Sequence, residues 1–518
     1  MREYNFSPEL VKPDSFPEKP ESIKIIQTHI SFIFILPNFV YKVKKPVNFG
    51  FLDFSTTVKR KFYCEEEVRL NKRLSPDVYL GVVPVVKKGE GIKFGEEGEI
   101  IDYAVKMKRL PDERILKKLI EKDEAKKEDM ARISRIIADF HKKAEINDEI
   151  SSYGKVESIK LNTDENFEQT EDFIGITISE RTYRKIKDFT NSFLKEKIFE
   201  KRVEEGKIRD CHGDLHTEHI CLSDKIYIFD CIEFNKRFRY QDTASDIAFL
   251  LMDLEYNLRP DLARAFLKSY MDFSGDRSAL DVLNFYKCYR AYVRGKVEGF
   301  KLSDPFIDDK ETPKKIARLY FDLAHFYTLP EKPYLIAIGG MIGTGKTTLA
   351  NELGKRFEAE VISSDIVRKK LFGIKPEERV FEEFGKGIYS DDASKLTYAK
   401  MLELAGEKLK KGNWVILDAS FRKNEERMKV KKLAEDSDAY FIFIECSSPL
   451  EVIKERLSKR FESQSVSDGR LEILGEIMRD YEEIKDLPYA KIDTSKDKKE
   501  VLTETFSYIW NPHGKILC

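Results

Sequence analysis

Residues 340–347 read GMIGTGKT, which sets Gly340, Gly343 and Gly345 ahead of Lys346 and Thr347. Glycines at those spacings let successive backbone N–H groups turn toward phosphate oxygens, and a following helix N-terminus adds partial positive charge. Lys346 is then placed to reach the β- and γ-phosphates of a nucleotide and Thr347 to ligate magnesium, with Thr344 and Thr348 completing the loop. The apolar run YLIAI before the loop and the helical pattern TLANELGKRF after it supply the strand–loop–helix context that such a loop requires. The expectation is a nucleoside triphosphate site, ATP with Mg²⁺.

Two carboxylates follow at the ends of further apolar runs. VISSD ends at Asp365, three residues before Arg368, and WVILD ends at Asp418. A carboxylate at the C-terminal end of a parallel strand faces the same crevice as the phosphate loop. There Asp365 can take a proton from an attacking hydroxyl while Arg368 holds anionic charge; alternatively Asp365 caps the helix that follows. Asp418 can hold magnesium, or can cap after a buried strand. Arg456 and Arg460, four residues apart in the helical pattern LEVIKERLSKRF, share one face and can close over phosphates, or can form a solvated basic face.

A second constellation lies upstream. RDCHGDLHTEHICL holds His212, Asp214, His216 and His219, and the strand pattern KIYIFD ends at Asp230. Three of the seven histidines thus fall within eight residues, beside two aspartates. An H-x-D loop, a metal ligand five residues after the Asp, and a strand ending in a second Asp is the spacing of a phosphotransfer loop. Asp214 would orient or deprotonate a hydroxyl, His212 would brace the loop, and Asp230 with His219 would hold metal. Imidazole prefers softer ions than magnesium, so His219 raises three possibilities: weak metal binding, a different metal, or lost transfer. Glu233 is a candidate for compensating.

The elements that position these residues read in two patterns. Residues 23–44 alternate like strands around a turn at 37–38 and are expected to form a hairpin. A helix over 57–74, then the strand patterns VYLGVVPVV and IIDYAVKMKRL, complete a small β-rich lobe. Helical patterns dominate 112–200 and 243–300, with short strands over 208–230. From YLIAIGG onward, apolar strands alternate with amphipathic helices, which predicts a parallel sheet covered on both faces. The domains expected are 1–330 (small lobe about 22–110, helical lobe about 111–330) and 331–518.

Composition limits the class of partner. The chain has 518 residues, 91 Lys plus Arg against 92 Asp plus Glu, and a net charge of -1. That balance gives nucleic acid no global support. The seven cysteines include no CxxC pair, which speaks against a disulfide framework or a zinc site, and no apolar run approaches the ~20 residues that span a bilayer. A soluble, cytoplasmic protein is expected.

Residues 334–495 resemble the P-loop kinases of the gluconate kinase, polynucleotide kinase and zeta-toxin-like group, on GMIGTGKT, SSDIVR, LDASFRKNEER and ERLSKR. The resemblance implies Asp365 as base, Arg368 as substrate clamp and Arg456 and Arg460 as lid arginines. HGDLHTEH and KIYIFD, with Asp246 on the next helix, resemble the aminoglycoside phosphotransferase family, which shares the protein-kinase fold. That implies an α+β domain over roughly 25–300, in which Asp246 braces the loop and a strand lysine pairs with a helix glutamate. Lys42, rather than Lys44, and Glu67 are the candidates; residues 107–110 are the expected hinge. The departure is His219, where that family has Asn. Tyr286, Arg290 and Arg294 form a face that can bind an acidic acceptor or can be salt-bridged. The whole chain resembles bacterial fusions of these two domains. The function implied is ATP-dependent phosphotransfer to a hydroxyl of a small molecule by two modules. The alternatives are a P-loop kinase with a non-transferring N-terminal module, and a polynucleotide 5′-hydroxyl kinase.

Overall fold

The computed structural model describes residues 6–512 apart from 306, 379, 381, 384 and 462–469. The chain folds into two compact units. One comprises Met1–Glu171, Lys187–Asn257 and Leu262–Val293; the other comprises Asp172–Ile186, Leu258–Asp261 and Arg294–Cys518.

In the first unit, six strands form one antiparallel sheet: β1 (Lys24–Gln27), β2 (Ser31–Ile35), β3 (Phe39–Lys44), β4 (Tyr79–Lys88), β5 (Gly91–Phe94) and β6 (Glu99–Lys108). Their order is β1-β2-β3-β6-β4-β5. The hairpin expected around the turn at 37–38 is present as β2 and β3, and β1 extends it to a three-stranded meander. The first apolar run breaks at Thr28, whose hydroxyl accepts from the N–H of Ile30 and of Ser31 and folds the chain back without Gly or Pro. One face of this sheet buries an aromatic cluster in which Phe16, Phe34, Tyr41 and Phe94 touch ring to ring.

The helix Thr57–Asn71 carries Cys64, Glu67 and Leu70 inward, and its N-terminus is capped by Thr56, which accepts from the N–H of Lys59. Below it, helices pack Ile133, Ile137, Leu250, Leu254, Phe266 and Phe285 into a second core. Burying each such side chain contributes roughly 1.5–3 kcal/mol. Four short strands carry the loop that bears the histidines: β7 (Ile208–Asp210), β8 (Ile220–Leu222), β9 (Ile226–Ile228) and β10 (Tyr240–Asp242). β8 pairs with β9 and β7 with β10, all antiparallel.

The second unit holds a five-stranded parallel sheet: β11 (Tyr334–Gly339), β12 (Glu360–Ser363), β13 (Val415–Asp418), β14 (Tyr440–Ser447) and β15 (Ala490–Asp493). The order is β12-β13-β11-β14-β15, so the strand that feeds the glycine loop is central. Every residue of β11 is buried, as an apolar strand covered on both faces requires. The helix Glu311–Phe326 belongs with this unit, whereas the change of pattern at 330 put it in the N-terminal domain. It packs on the helix Lys498–Trp510, where Asp322 accepts from Asn511 Nδ2 at 2.8 Å and from the Ser507 hydroxyl at 3.1 Å. Burial pushes the Asp322 carboxyl up to about 7 against those two hydrogen bonds. Among the described residues, no helix is long and apolar enough to cross a membrane.

Candidate functional site

The glycine loop runs directly from the end of β11 into the helix Lys346–Phe357. Gly340, Gly343 and Gly345 have φ of 129°, 76° and 81°, backbone that favours glycine. At Gly340 space adds to the demand: a Cβ there would sit 2.4 Å from the Cys446 carbonyl oxygen. Lys346 Nζ donates to the Met341 carbonyl at 2.7 Å, and the Thr344 hydroxyl donates to the same oxygen at 2.7 Å. Thr344 is fully buried and works inside the loop rather than on its open face. Thr347 donates its hydroxyl to Asp418 Oδ2 at 2.8 Å, so the last loop residue and the end of β13 meet. Asp418 is 3% exposed, and burial raises its carboxyl above the ordinary range despite Lys346 nearby. A hydroxyl and a carboxylate side by side are hard oxygen donors of the kind magnesium takes.

One cavity brings the loop and the second carboxylate together. Gly343, Gly345, Lys346, Thr347 and Thr348 line it with Asp365, Arg368 and Asp418. Asp365 does not cap its helix: Ser363 is the N-cap of Ser364–Leu371, and Asp365 stands in the first turn. Its Oδ1 lies 4.0 Å from an Arg368 nitrogen. The Arg368 guanidinium stacks 4.7 Å from the Tyr389 ring centre, and its buried Nε makes no hydrogen bond. Tyr389, Tyr398, Ser420 and Arg422 also line the cavity and were not singled out from the sequence. Ser420 and Arg422 lie inside the motif LDASFRKNEER; the two tyrosines carried no local signal. Arg422 pairs with Asp480 at 2.7 Å.

Arg456, expected to close over phosphates, is committed elsewhere. It donates to the Thr494 carbonyl at 2.7 Å, to the hydroxyls of Ser448 and Thr494 at 3.0 and 3.1 Å, and to the Gly343 carbonyl at 3.4 Å. The Thr494 hydroxyl in turn donates to the Thr344 carbonyl at 2.6 Å. The arginine therefore ties the glycine loop to the end of β15 and is not among the cavity's lining residues. The Arg460 side chain lies outside the described residues.

In the first unit, Lys42 on β3 reaches Glu67 Oε1 at 3.0 Å and Asp230 Oδ1 at 2.8 Å. Lys44, on the same face, is fully buried; it donates to the other Glu67 oxygen at 2.6 Å and also to Glu233. Glu233 thus balances Lys44 and does not serve Asp230. Burial alone would lower the Lys42 ammonium, but Asp230 and Glu67 outweigh it and hold it well above the ordinary lysine range. Burial would likewise raise the Asp230 carboxyl, yet Lys42 and His219 hold it below its ordinary value. Asp230 follows β9 with φ of 62°, in the left-handed region, and its N–H donates to the Tyr79 hydroxyl at 3.1 Å.

The H-x-D turn is fastened from below. Asp246 accepts from the N–H of His212 (3.0 Å) and of Gly213 (2.9 Å), from Gln241 (3.0 Å), and faces His141 Nε2 at 3.1 Å. Burial would raise its carboxyl, but His141 and these donors bring it down to about 2. His212 Nε2–H donates to the Phe229 carbonyl at 3.0 Å, and Nδ1 accepts from the Asp214 N–H at 3.3 Å. Burial lowers this imidazole to about 4. Arg290 proves to be structural: it is 7% exposed and donates to the Gly213 carbonyl at 3.2 Å and to Gln241. Asp214, half-exposed, has His219 Nδ1 at 3.4 Å and His216 Nε2 at 3.6 Å from Oδ2. Burial, and then His216, lower the His219 imidazole below its ordinary value.

The central strand, glycine loop and Thr347–Asp418 pair define the second unit as a P-loop α/β domain. The first unit, with its antiparallel sheet, inward helix glutamate and helical core, agrees with a kinase-like fold. The AAA domain family matches residues 335–484. Uncharacterized protein Rv2004c of Mycobacterium tuberculosis is 30% identical over 444 residues, 85% of this chain and 86% of that protein. The chain belongs to the family of that mycobacterial protein. Among solved structures, it is similar to a choline/ethanolamine kinase family protein from Mesorhizobium loti (TM-score 0.37, 9% identity, 60% of this chain and 90% of that one). It is also similar to the Mycobacterium tuberculosis APS kinase CysC in complex with AMPPNP and APS (TM-score 0.27, 17% identity, 35% of this chain and 99% of that one).

Proposed function

We propose that the P-loop unit is an ATP-dependent kinase acting on a hydroxyl of a small molecule, and that the first unit is a second phosphotransfer module. The observation that carries the reading is the shared cavity, in which Lys346, Thr347 and Asp418 meet Asp365 and Arg368. The loop N–H groups and Lys346 bind the triphosphate; Arg368 orients the acceptor. Asp365 takes the hydroxyl proton as the oxygen bonds to the γ-phosphorus, and the bond to the bridging oxygen breaks to release ADP. Thr347 and Asp418 would hold magnesium, which when bound neutralises charge on the β- and γ-phosphates. In the first unit Lys42, positioned by Glu67, serves the phosphates, and Asp214 aligns the hydroxyl.

The test is an ATP-consumption screen over sugars, polyols, nucleosides, aminoglycosides and 5′-hydroxyl oligonucleotides, run on the wild type, Lys346→Ala and Asp214→Ala. Lys346→Ala is expected to remove about 100-fold or more of the acceptor-dependent turnover at the P-loop unit. Turnover unaffected by either change would defeat the reading. His219 favours a second reading for the first unit alone, a module that binds nucleotide without transferring phosphate. Activity created by His219→Asn where the wild type has none would establish it.

A further inference from the structure

Asp230 and His219 face each other with electron-rich atoms. His219 Nδ1 lies 2.9 Å from the Asp214 backbone carbonyl oxygen. A carbonyl oxygen only accepts, so Nδ1 carries the proton and the lone pair is on Nε2. That Nε2 is 3.5 Å from Asp230 Oδ2. The other Asp230 oxygen is occupied by Lys42. Nitrogen and oxygen ligands that each stand ~2.1 Å from one dication are themselves about 3–3.5 Å apart, so the separation is that of two ligands and too long for a good hydrogen bond.

The neighbours hold this arrangement. His216 stacks beside His219 with ring centres 4.0 Å apart. Its Nδ1 accepts from the Glu218 N–H at 3.4 Å, which turns Nε2 toward Asp214 Oδ2. His216 therefore orients Asp214, while His219, held by the Asp214 carbonyl, presents its nitrogen to Asp230. The side chains of Asp230, Asp214 and His219 are 40%, 32% and 14% exposed, so the site opens to solvent. An imidazole nitrogen beside a carboxylate discriminates among dications: affinity rises along the first transition series, whereas magnesium keeps to oxygen and water.

We propose that His219 and Asp230 form a mixed nitrogen–oxygen metal site that takes a first-row transition-metal dication, with Mn²⁺ as its probe, in preference to Mg²⁺. The inference rests on the reading of Asp230 as a metal-holding carboxylate and deepens it: the chain would carry two metal sites of different chemistry, the Thr347–Asp418 site being all oxygen.

The test uses the full chain carrying Lys346→Ala, which removes nucleotide-linked metal from the P-loop unit. Bound Mn²⁺ is followed by electron paramagnetic resonance, with Mg²⁺ as competitor, and directly coordinated nitrogen is sought by electron spin echo modulation. The expected result is bound Mn²⁺ with one histidine nitrogen coupled to it. His219→Asn should remove the nitrogen signal and cut the preference for Mn²⁺ over Mg²⁺ about tenfold. Mn²⁺ bound without nitrogen coupling, or Mg²⁺ competing as well in the starting chain as in His219→Asn, overturns the inference alone. No bound dication of either kind overturns it together with the reading of Asp230. The nitrogen signal decides the matter even where His219→Asn fails to fold.

Discussion

At the scale of single residues, His212 is a buried base whose neutrality matters. Its imidazole sits at about 4, against an ordinary value near 6.5. Between those pH values the unfolded chain binds a proton that the folded chain does not. Stability therefore falls as pH drops from about 6.5 to 4, by roughly 3 kcal/mol from this group. His219 is lowered in the same direction and steepens the loss. Urea denaturation at pH 7, 5.5 and 4.5 checks this: His212→Gln, which keeps a donor for the Phe229 carbonyl, should flatten the slope in that window. Asp246 behaves oppositely in kind. Its carboxyl is at about 2, so the stability it contributes is present above its ordinary value near 4 and is lost only as pH falls further, toward 2.

At the scale of elements, the glycine loop is held from both sides, and the two supports can be separated. Gly340→Ala would drive a methyl group to 2.4 Å from a backbone oxygen and is expected to cost about 3 kcal/mol or more. Gly412→Ala, with φ of 79° and nothing within 4 Å, should cost only about 1–2 kcal/mol. Comparing their urea midpoints tests the steric argument directly. Arg456→Ala removes the tie between the loop and β15; nucleotide affinity should fall about tenfold while the acceptor KM stays put, measured by titration and by steady-state kinetics. A lid arginine would instead lower kcat. This role was illegible in the chain. The loop itself could be read because its glycines, Lys346 and flanking elements are contiguous. Arg456 depends on Ser448 and Thr494, and Thr494 is brought in by β15, far along the sequence. The partners of Arg290 could not be read for the same reason, since Gly213 and Gln241 are remote in sequence. In the meander over 24–44 the turn at 37–38 announces itself by its proline, whereas the turn at Thr28 has no glycine or proline to mark it.

At the scale of the whole molecule, each unit encloses its own apolar core, one around Leu250 and Phe266, the other around Leu335, Val415 and Phe443. Two calorimetric transitions are expected. ATP with magnesium at about 100 times its Kd should stabilise the unit that binds it by roughly 2.7 kcal/mol. Lys346→Ala should abolish the ligand-induced shift of one transition and leave the other unchanged; loss of both shifts would contradict separate nucleotide sites.

The left-handed backbone at Asp230 has a bearing on how this chain can change over generations. Asn and Gly tolerate φ of 62° far better than alanine or a branched side chain. The mutational path of least resistance from Asp230 therefore leads to an amide, which keeps the turn and discards the charge. Asp230→Asn is therefore the change that separates loss of charge from loss of shape at this turn.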